Sequence, residues 1–260
     1  MRKKIQLNFV PILFLFLVGT VSAQQRVVEE SLVYDDPTVA RPGKWLFGVA
    51  AGAYYSNATT AGSDTNGNTV YAPQQMTQPQ ASAYIGYQDV TLLIRYQKEK
   101  STSNYPGNTA NMSGDIYIAD LRWLITDLGS KYFVPYVMAS YAKYTENTTF
   151  SYVNSSGLRQ TGKNWGDGPG LGIGGIFPIT EKYGLRADAR QFNLKANSSS
   201  NMWSAFNTSG RKVEYRRFQL VGYYNITDNI NFQLGGDATN VNGFANSTTY
   251  GFFSQIGYSF

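Results

Sequence analysis

The stretch YGFFSQIGYSF, residues 250–260, decides the fold. Tyr250, Phe252, Ile256, Tyr258 and Phe260 share one parity, interrupted only by Ser254. The other parity holds Gly251, Phe253, Gln255, Gly257 and Ser259, most of them small or polar. A period of two is the signature of a strand with one apolar face. Chain ends are usually polar and loosely held, so an aromatic strand here needs an apolar medium for that face.

The other end of the chain suggests which medium. Arg2, Lys3 and Lys4 precede the apolar run FVPILFLFLVG (9–19), and VSA (21–23) supplies small residues. This pattern predicts a secretory signal peptide over residues 1–23. The run is shorter than the about 20 apolar residues of a spanning helix. No Cys occurs anywhere, so neither a lipid anchor at the cleavage point nor a small disulfide-stapled secreted domain fits. Removing the three basic residues of the leader from the 22 in the chain leaves a net charge of +2 against 17 acidic residues. That balance gives no footing for a nucleic-acid partner. Aromatic residues make up 15% of the chain and charged residues only 15%, with 20 Tyr, whereas soluble proteins carry about 25% charge. Low charge with abundant Tyr and Gly suits a barrel whose outside meets lipid, since Tyr is apolar in its ring and wet at its hydroxyl.

Alternation recurs along residues 44–260, which form the predicted barrel domain. Strands are predicted at 44–56, 80–88, 90–99, 113–125, 133–145, 168–177, 183–194, 213–225, 230–240 and 248–260. Trp45, Phe47 and Val49 fall on one outward face, Tyr117, Leu121 and Trp123 on another, and Phe218, Leu220 and Tyr224 on a third. The segment 133–145 is apolar on both parities, so its outward face stays open. The fold class is therefore all-β, an antiparallel up-and-down transmembrane barrel of about ten strands, with eight and twelve as the neighbouring even counts. Each strand is near the ~9–11 residues that a tilted strand needs to cross a bilayer.

Connections alternate in length. Short ones repeat Ile-Thr-acid: ITD at 125–127, ITE at 179–181 and ITD at 226–228, which suits tight turns. The others are predicted as long polar loops at 57–79, 100–112, 146–167 and 195–212, with a shorter one at 241–247. This asymmetry is that of outer-membrane barrels, and an even strand count puts both termini on the periplasmic side. Residues 24–43 lack a period and carry Glu29, Glu30, Asp35, Asp36, Pro37 and Pro42; they read as a flexible periplasmic extension, with a fold-back plug or a periplasmic binding segment as alternatives.

With the VSA leader, the repeated Ile-Thr-Asp/Glu turns and the terminal IGYSF, the chain resembles the OmpA/OmpW-type family of small Gram-negative outer-membrane β-barrels. The resemblance implies bacterial outer-membrane localisation, contact with outer-membrane lipid and lipopolysaccharide, and recognition by the barrel-assembly machinery through Tyr258 and Phe260. The strand count exceeds the eight of OmpA-type barrels, so no member's particular function carries over.

Candidate chemistry is sparse. There is no His and no Cys, so Ser-His-Asp hydrolysis and the ordinary transition-metal sites are excluded, and no cofactor or metal is expected. Ten strands invite comparison with omptin-type proteases, which use a His that this chain lacks. GLGIGG (170–175) matches a dinucleotide fingerprint in letters, but a strand continues through it where a helix is needed. Its Gly168, Gly170, Gly172 and Gly174 share the lumen-facing parity, which either widens a pore or makes room for bulky neighbours. The same parity turns Arg95, Glu99, Asp120, Arg122, Arg186, Asp188, Arg190, Arg217 and Asp237 inward. They are expected to form a salt-bridge network, with pairs Arg95–Asp120 and Arg217–Asp237, the latter shared with Arg190; a weakly anion-favouring channel lining is the alternative. The function read from sequence is a non-enzymatic barrel, either a narrow porin-like channel or an envelope-stabilising protein. The alternative is a surface-recognition protein acting through its loops, so the partner beyond lipid is a small solute or an extracellular ligand.

Overall fold

The computed structural model describes residues 35–63, 69–105, 108–152, 159–200, 208–242 and 247–260. Ten strands follow in order: β1 (Trp45–Ser63), β2 (Thr69–Tyr87), β3 (Val90–Tyr105), β4 (Asn108–Leu124), β5 (Val134–Tyr152), β6 (Arg159–Pro178), β7 (Tyr183–Ser200), β8 (Thr208–Asn225), β9 (Ile230–Asn242) and β10 (Ser247–Ser259). Each pairs antiparallel with its sequence neighbours, and β10 pairs with β1 from Gly48↔Ser259 to Ala58↔Thr249, so the barrel closes. Closure satisfies every edge, as hydrocarbon requires.

Alternation sorts the side chains as the sequence predicts. Leu171 is 74% exposed and Trp123 61%, while Leu93, Ile118, Val221 and Phe253 are buried. So large an exposed apolar belt suits lipid and is costly in water. On β5, where the sequence left the outward face open, Val137 and Tyr141 point out and Tyr136 and Met138 point in.

The strands run 13 to 20 residues, and all but β10 are longer than the predicted segments. The β1–β2 ladder continues to Ser63↔Thr69 and the β5–β6 ladder to Ser151↔Arg159. Most of 57–79, 100–112, 146–167 and 195–212 is therefore ladder, where loop was expected. The physical reason is that these extensions are polar on both faces, so the ladder persists without the alternation that marks a half-buried strand. The remaining connections at that end, 64–68, 106–107, 153–158, 201–207 and 243–246, lie outside the described residues.

At the other end the turns explain the repeated motif. The Thr180 hydroxyl accepts the amides of Lys182 and Tyr183, and the Thr227 hydroxyl those of Asn229 and Ile230. The Thr is thus a side-chain substitute for a turn carbonyl. The first copy differs: Thr126–Leu128 forms a 3-10 turn in a longer connection.

Inside, aromatic rings lie over glycines of the adjacent strand. In register, Tyr84 faces Gly48, Tyr136 faces Gly174, Phe192 faces Gly170, Tyr223 faces Gly184 and Phe253 faces Gly235. A Cβ on Gly174 would sit 2.4 Å from the Tyr136 ring and 2.5 Å from the Ala187 carbonyl oxygen. The glycine wall of β6 thus houses bulky neighbours. Gly174→Ala is expected to cost about 1–3 kcal/mol by overpacking, and Gly222→Ala, whose Cβ meets its nearest atoms at 3.7 Å, to stay within about 0.5 kcal/mol. Urea unfolding in detergent micelles measures both; equal losses would remove the ring-over-glycine packing.

Candidate functional site: the barrel lumen

The lumen is filled in three tiers. The lowest, at the short-turn end, is made by the segment just before β1. Asp36, Thr38, Val39 and Ala40 are 1–3% exposed. The Val39 amide donates to the Asp36 carbonyl at 3.0 Å, turning the chain inward. Arg186 Nη1 donates to both Asp36 carboxylate oxygens at 2.8 Å. Thr38 Oγ1 accepts from Arg122 Nη1 at 2.8 Å and from Arg186 Nη1 at 2.9 Å. Thr91 donates to the Thr38 carbonyl, and Asn225 to the Asp35 carbonyl at 2.6 Å. Val39 packs with Leu124, Val134, Tyr136, Met138, Ile176 and Tyr223. The sequence expectation of a flexible extension therefore fails for residues 35–40, which fold back as a plug. Residues 24–34 lie outside the described residues, as does the predicted leader.

The middle tier is ionic. Arg190 Nη1 meets Asp120 Oδ2 at 2.7 Å, and its Nε and Nη2 meet Asp188 Oδ1 at 2.9 and 2.6 Å. Arg190 lies on β7 and Asp120 on β4, so the bridge crosses the lumen past β5 and β6. Ser140 adds a 2.6 Å bond to Asp120. Arg217 binds Asp237, whose other oxygen accepts from Tyr54 at 3.0 Å. Around the remaining wall runs an amide chain, with Gln80 to Gln255 at 3.1 Å, Gln255 to Gln233 at 3.0 Å and Gln233 to Asn231 at 2.9 Å. Above it lies an apolar tier, where Ile118, Ala142, Phe192, Leu194, Ala196 and Val213 cluster with Tyr144 and Tyr215 against them, and higher still Glu146 accepts from Thr148 at 3.1 Å and Asn164 at 3.0 Å.

All nine predicted lumen charges face inward, but not with every predicted partner. Arg217–Asp237 forms, without a share from Arg190. Arg95–Asp120 does not, because Asp120 is taken by Arg190. The register pairs Leu93 with Asp120 and Arg95 with Ile118. Arg95 instead borders a cavity of about 10 Å³ with Ser82, Gln233 and Gln255, room for about one water. Its Nη1 meets no protein acceptor. Glu99 contacts only the Gln78 amide, at 3.5 Å, among the described residues. Sequence reasoning noted Asp36 only as part of an acidic segment, with a fold-back plug as an alternative, and gave Thr38 no role. It also passed over Gln219 and Gln233, whose lumen parity was readable, and over Gln78, which fell in a predicted loop. Tyr258 and Phe260 lie outward at the short-turn rim, their rings edge to face at 4.8 Å. Among the described residues no group of three His, Cys, Asp or Glu is placed to hold a metal.

Burial pushes the Asp36 carboxyl up, but Arg186, Arg122 and the two Thr38 bonds outweigh it and hold it below the usual carboxylate range. A depressed carboxyl stabilises the fold above its unfolded value of about 3.9 and loses that contribution as pH falls through the folded value. Hydrogen-exchange protection at the Val39 amide should therefore hold at neutral pH and fall below about pH 4. Asp36→Asn should lower it already at neutral pH and flatten the acid step; an unchanged acid step would dissociate Asp36 from the plug. In the middle tier, Asp120→Asn is expected to cost about 3–5 kcal/mol, as for a buried pair left half made. Glu214→Gln, which breaks the exposed 3.1 Å pair with Arg216, should cost about 0–1 kcal/mol. Urea unfolding in micelles separates the two.

No family model matches the chain, and no curated protein matches it. Solved structures are similar in fold. The outer-membrane protease OmpT of Escherichia coli superposes with a TM-score of 0.51 at 9% identity, over 84% of this chain and 97% of that one. The translocator domain of the autotransporter NalP from Neisseria meningitidis gives 0.49 at 12% identity, over 82% and 88%. Neisserial surface protein A gives 0.38 at 15%, over 82% and 97%. The chain is thus a closed ten-stranded antiparallel barrel of the outer-membrane type in fold.

Proposed function

We propose that this protein is a sealed barrel of the bacterial outer membrane, non-enzymatic, that serves the envelope through its walls rather than through an open pore. The observation that carries the reading is the occupied lumen. The Asp36–Arg186 plug, the Arg190 bridge from β7 to β4 and the Phe192 tier lie one above another. Buried charges persist only when paired or wet, and here all but Arg95 and Glu99 have an ionic or strong hydrogen-bond partner in the protein. The exterior belt supports membrane insertion, and the polar ladders above it support placing the short-turn end, with both termini, in the periplasm. Tyr258 and Phe260, exposed on the closing strand, suit recognition by the barrel-assembly machinery. The absence of His removes the proton carrier that an omptin-like protease needs.

A second reading rests on a separate observation. The ladders rise well beyond the ~9–11 residues that cross a bilayer, so β1–β2 and β5–β6 present stiff polar walls suited to a surface partner.

Planar-bilayer recording of the refolded protein tests the first reading. The intact chain should give no steady conductance, while deletion of residues 24–40 should give intermittent openings. Steady ohmic conductance from the intact chain would overturn the sealed barrel and restore the narrow porin.

A further inference from the structure

The exterior is divided by charge. β1, β2 and β10 contain no charged residue, and the one in β9, Asp237, faces the lumen. Basic residues on the outside of the wall gather on β3 and β5–β8. Lys143 of β5, Asp167 of β6 and Lys195 of β7 form one row, and Lys163 of β6 stands two rows above, between Asn147 and Ser199. Lys143, Thr145, Lys163, Trp165 and Asp167 line a cleft of about 230 Å³ on this face. The Lys163 ammonium lies 5.7 Å from the Trp165 ring centre. Asp167, the acid within the cleft, accepts the Tyr141 hydroxyl. Among the described residues no salt bridge ties Lys143, Lys163 or Lys195 to a carboxylate.

Directly below on the same strands the wall turns apolar, with Tyr141, Leu171, Ile173 and Leu185 exposed. A cationic cleft set over an apolar wall is the complement of one molecule type, an anionic headgroup carrying acyl chains.

We propose that the β5–β7 face is a site for a phosphorylated glycolipid of the outer leaflet. Lys143, Lys163 and Lys195 surround its phosphate, Trp165 lies against a sugar ring, and the acyl chains run down Leu171 and Ile173. The site gives the barrel a fixed lipid-facing side, opposite the uncharged β10–β1–β2 wall. It rests on the membrane orientation given above and is independent of whether the lumen conducts.

Native mass spectrometry of the refolded full chain tests it, with monophosphorylated lipid A and its dephosphorylated form as probes. At about fivefold per basic contact to an anionic lipid, the wild type should retain the phosphorylated form about 100-fold better. Lys143→Gln/Lys163→Gln/Lys195→Gln should remove that preference, whereas Lys131→Gln/Lys182→Gln at the short-turn end should keep it. All the replaced side chains are on the surface, and heat-modified gel migration reports their folding; should the triple variant not fold, Lys163→Gln alone and the wild-type comparison of the two lipids decide. Equal retention of the two lipids by the wild type, or an undiminished preference in a folded variant, would overturn the site. Displacement of the lipid by a few millimolar inorganic phosphate would assign the cleft to a soluble anion and overturn the lipid.

Discussion

The bridge from Arg190 to Asp120 and Asp188 is the interaction on which the rest of the barrel depends. A guanidinium withdrawn from water must be matched on its remaining donors or it destabilises the fold. Arg190 achieves this only because β4 and β7, three strands apart in the wall, come within one side chain of each other. That approach requires β6 between them to be thin, and Gly170, Gly172 and Gly174 make it so. The same glycines receive Tyr136, Met138 and Phe192. Charge pairing and ring-over-glycine packing are therefore one arrangement, in which each large inward side chain uses space that a neighbouring strand leaves empty.

The plug extends this logic to the short-turn end. From the wall alone Arg186 meets only the Gln233 amide oxygen at 3.3 Å and Arg122 only the Tyr136 ring, with no carboxylate for either. Asp36 and Thr38 supply further partners from outside the wall. The plug is held mainly by charge and hydrogen bonds, with Val39 as its apolar anchor, so it is secured without being covalently or topologically trapped. On the proposed reading, a sealed interior leaves the outer surface to carry function, and the exterior charge there is asymmetric between the β3–β8 wall and the β9–β2 wall.

Much of this was legible in the sequence. Alternation located all ten strands and the inward parity of all nine charges, since one residue of slip would have put Arg or Asp into lipid. What it did not give was height. An Arg95–Asp120 pair supposes that Val90 stands level with Ile125, whereas the ladder sets Val90 opposite Trp123; the stagger needed to close a barrel shifts neighbours along each other. Arg95 and Asp120 end up on the same diagonal as Arg217 and Asp237, yet only the second pair forms, because a long side chain from β7 reaches Asp120 first. No local pattern reports such competition across the lumen. The plug was only an alternative in the sequence for a related reason. DDPTVA has no period, and its burial comes from partners at positions 91, 122, 186 and 225. The upper ladders were read as loops because a strand with polar residues on both parities has no hydrophobic alternation.

The sealed lumen is tested most directly by thiol accessibility, which is clean because the chain has no Cys. Ser82 lines the small cavity beside Arg95 and is 8% exposed, whereas Ser199 is exposed on the outer wall. With a membrane-impermeant thiol reagent, Ser82→Cys in the folded barrel should react at least about two orders of magnitude more slowly than Ser199→Cys, because reaction must wait for local opening. Removing residues 24–40 should speed only the former. Equal rates in the intact barrel would contradict a closed interior and mean that water and small solutes pass freely beside the ion pairs.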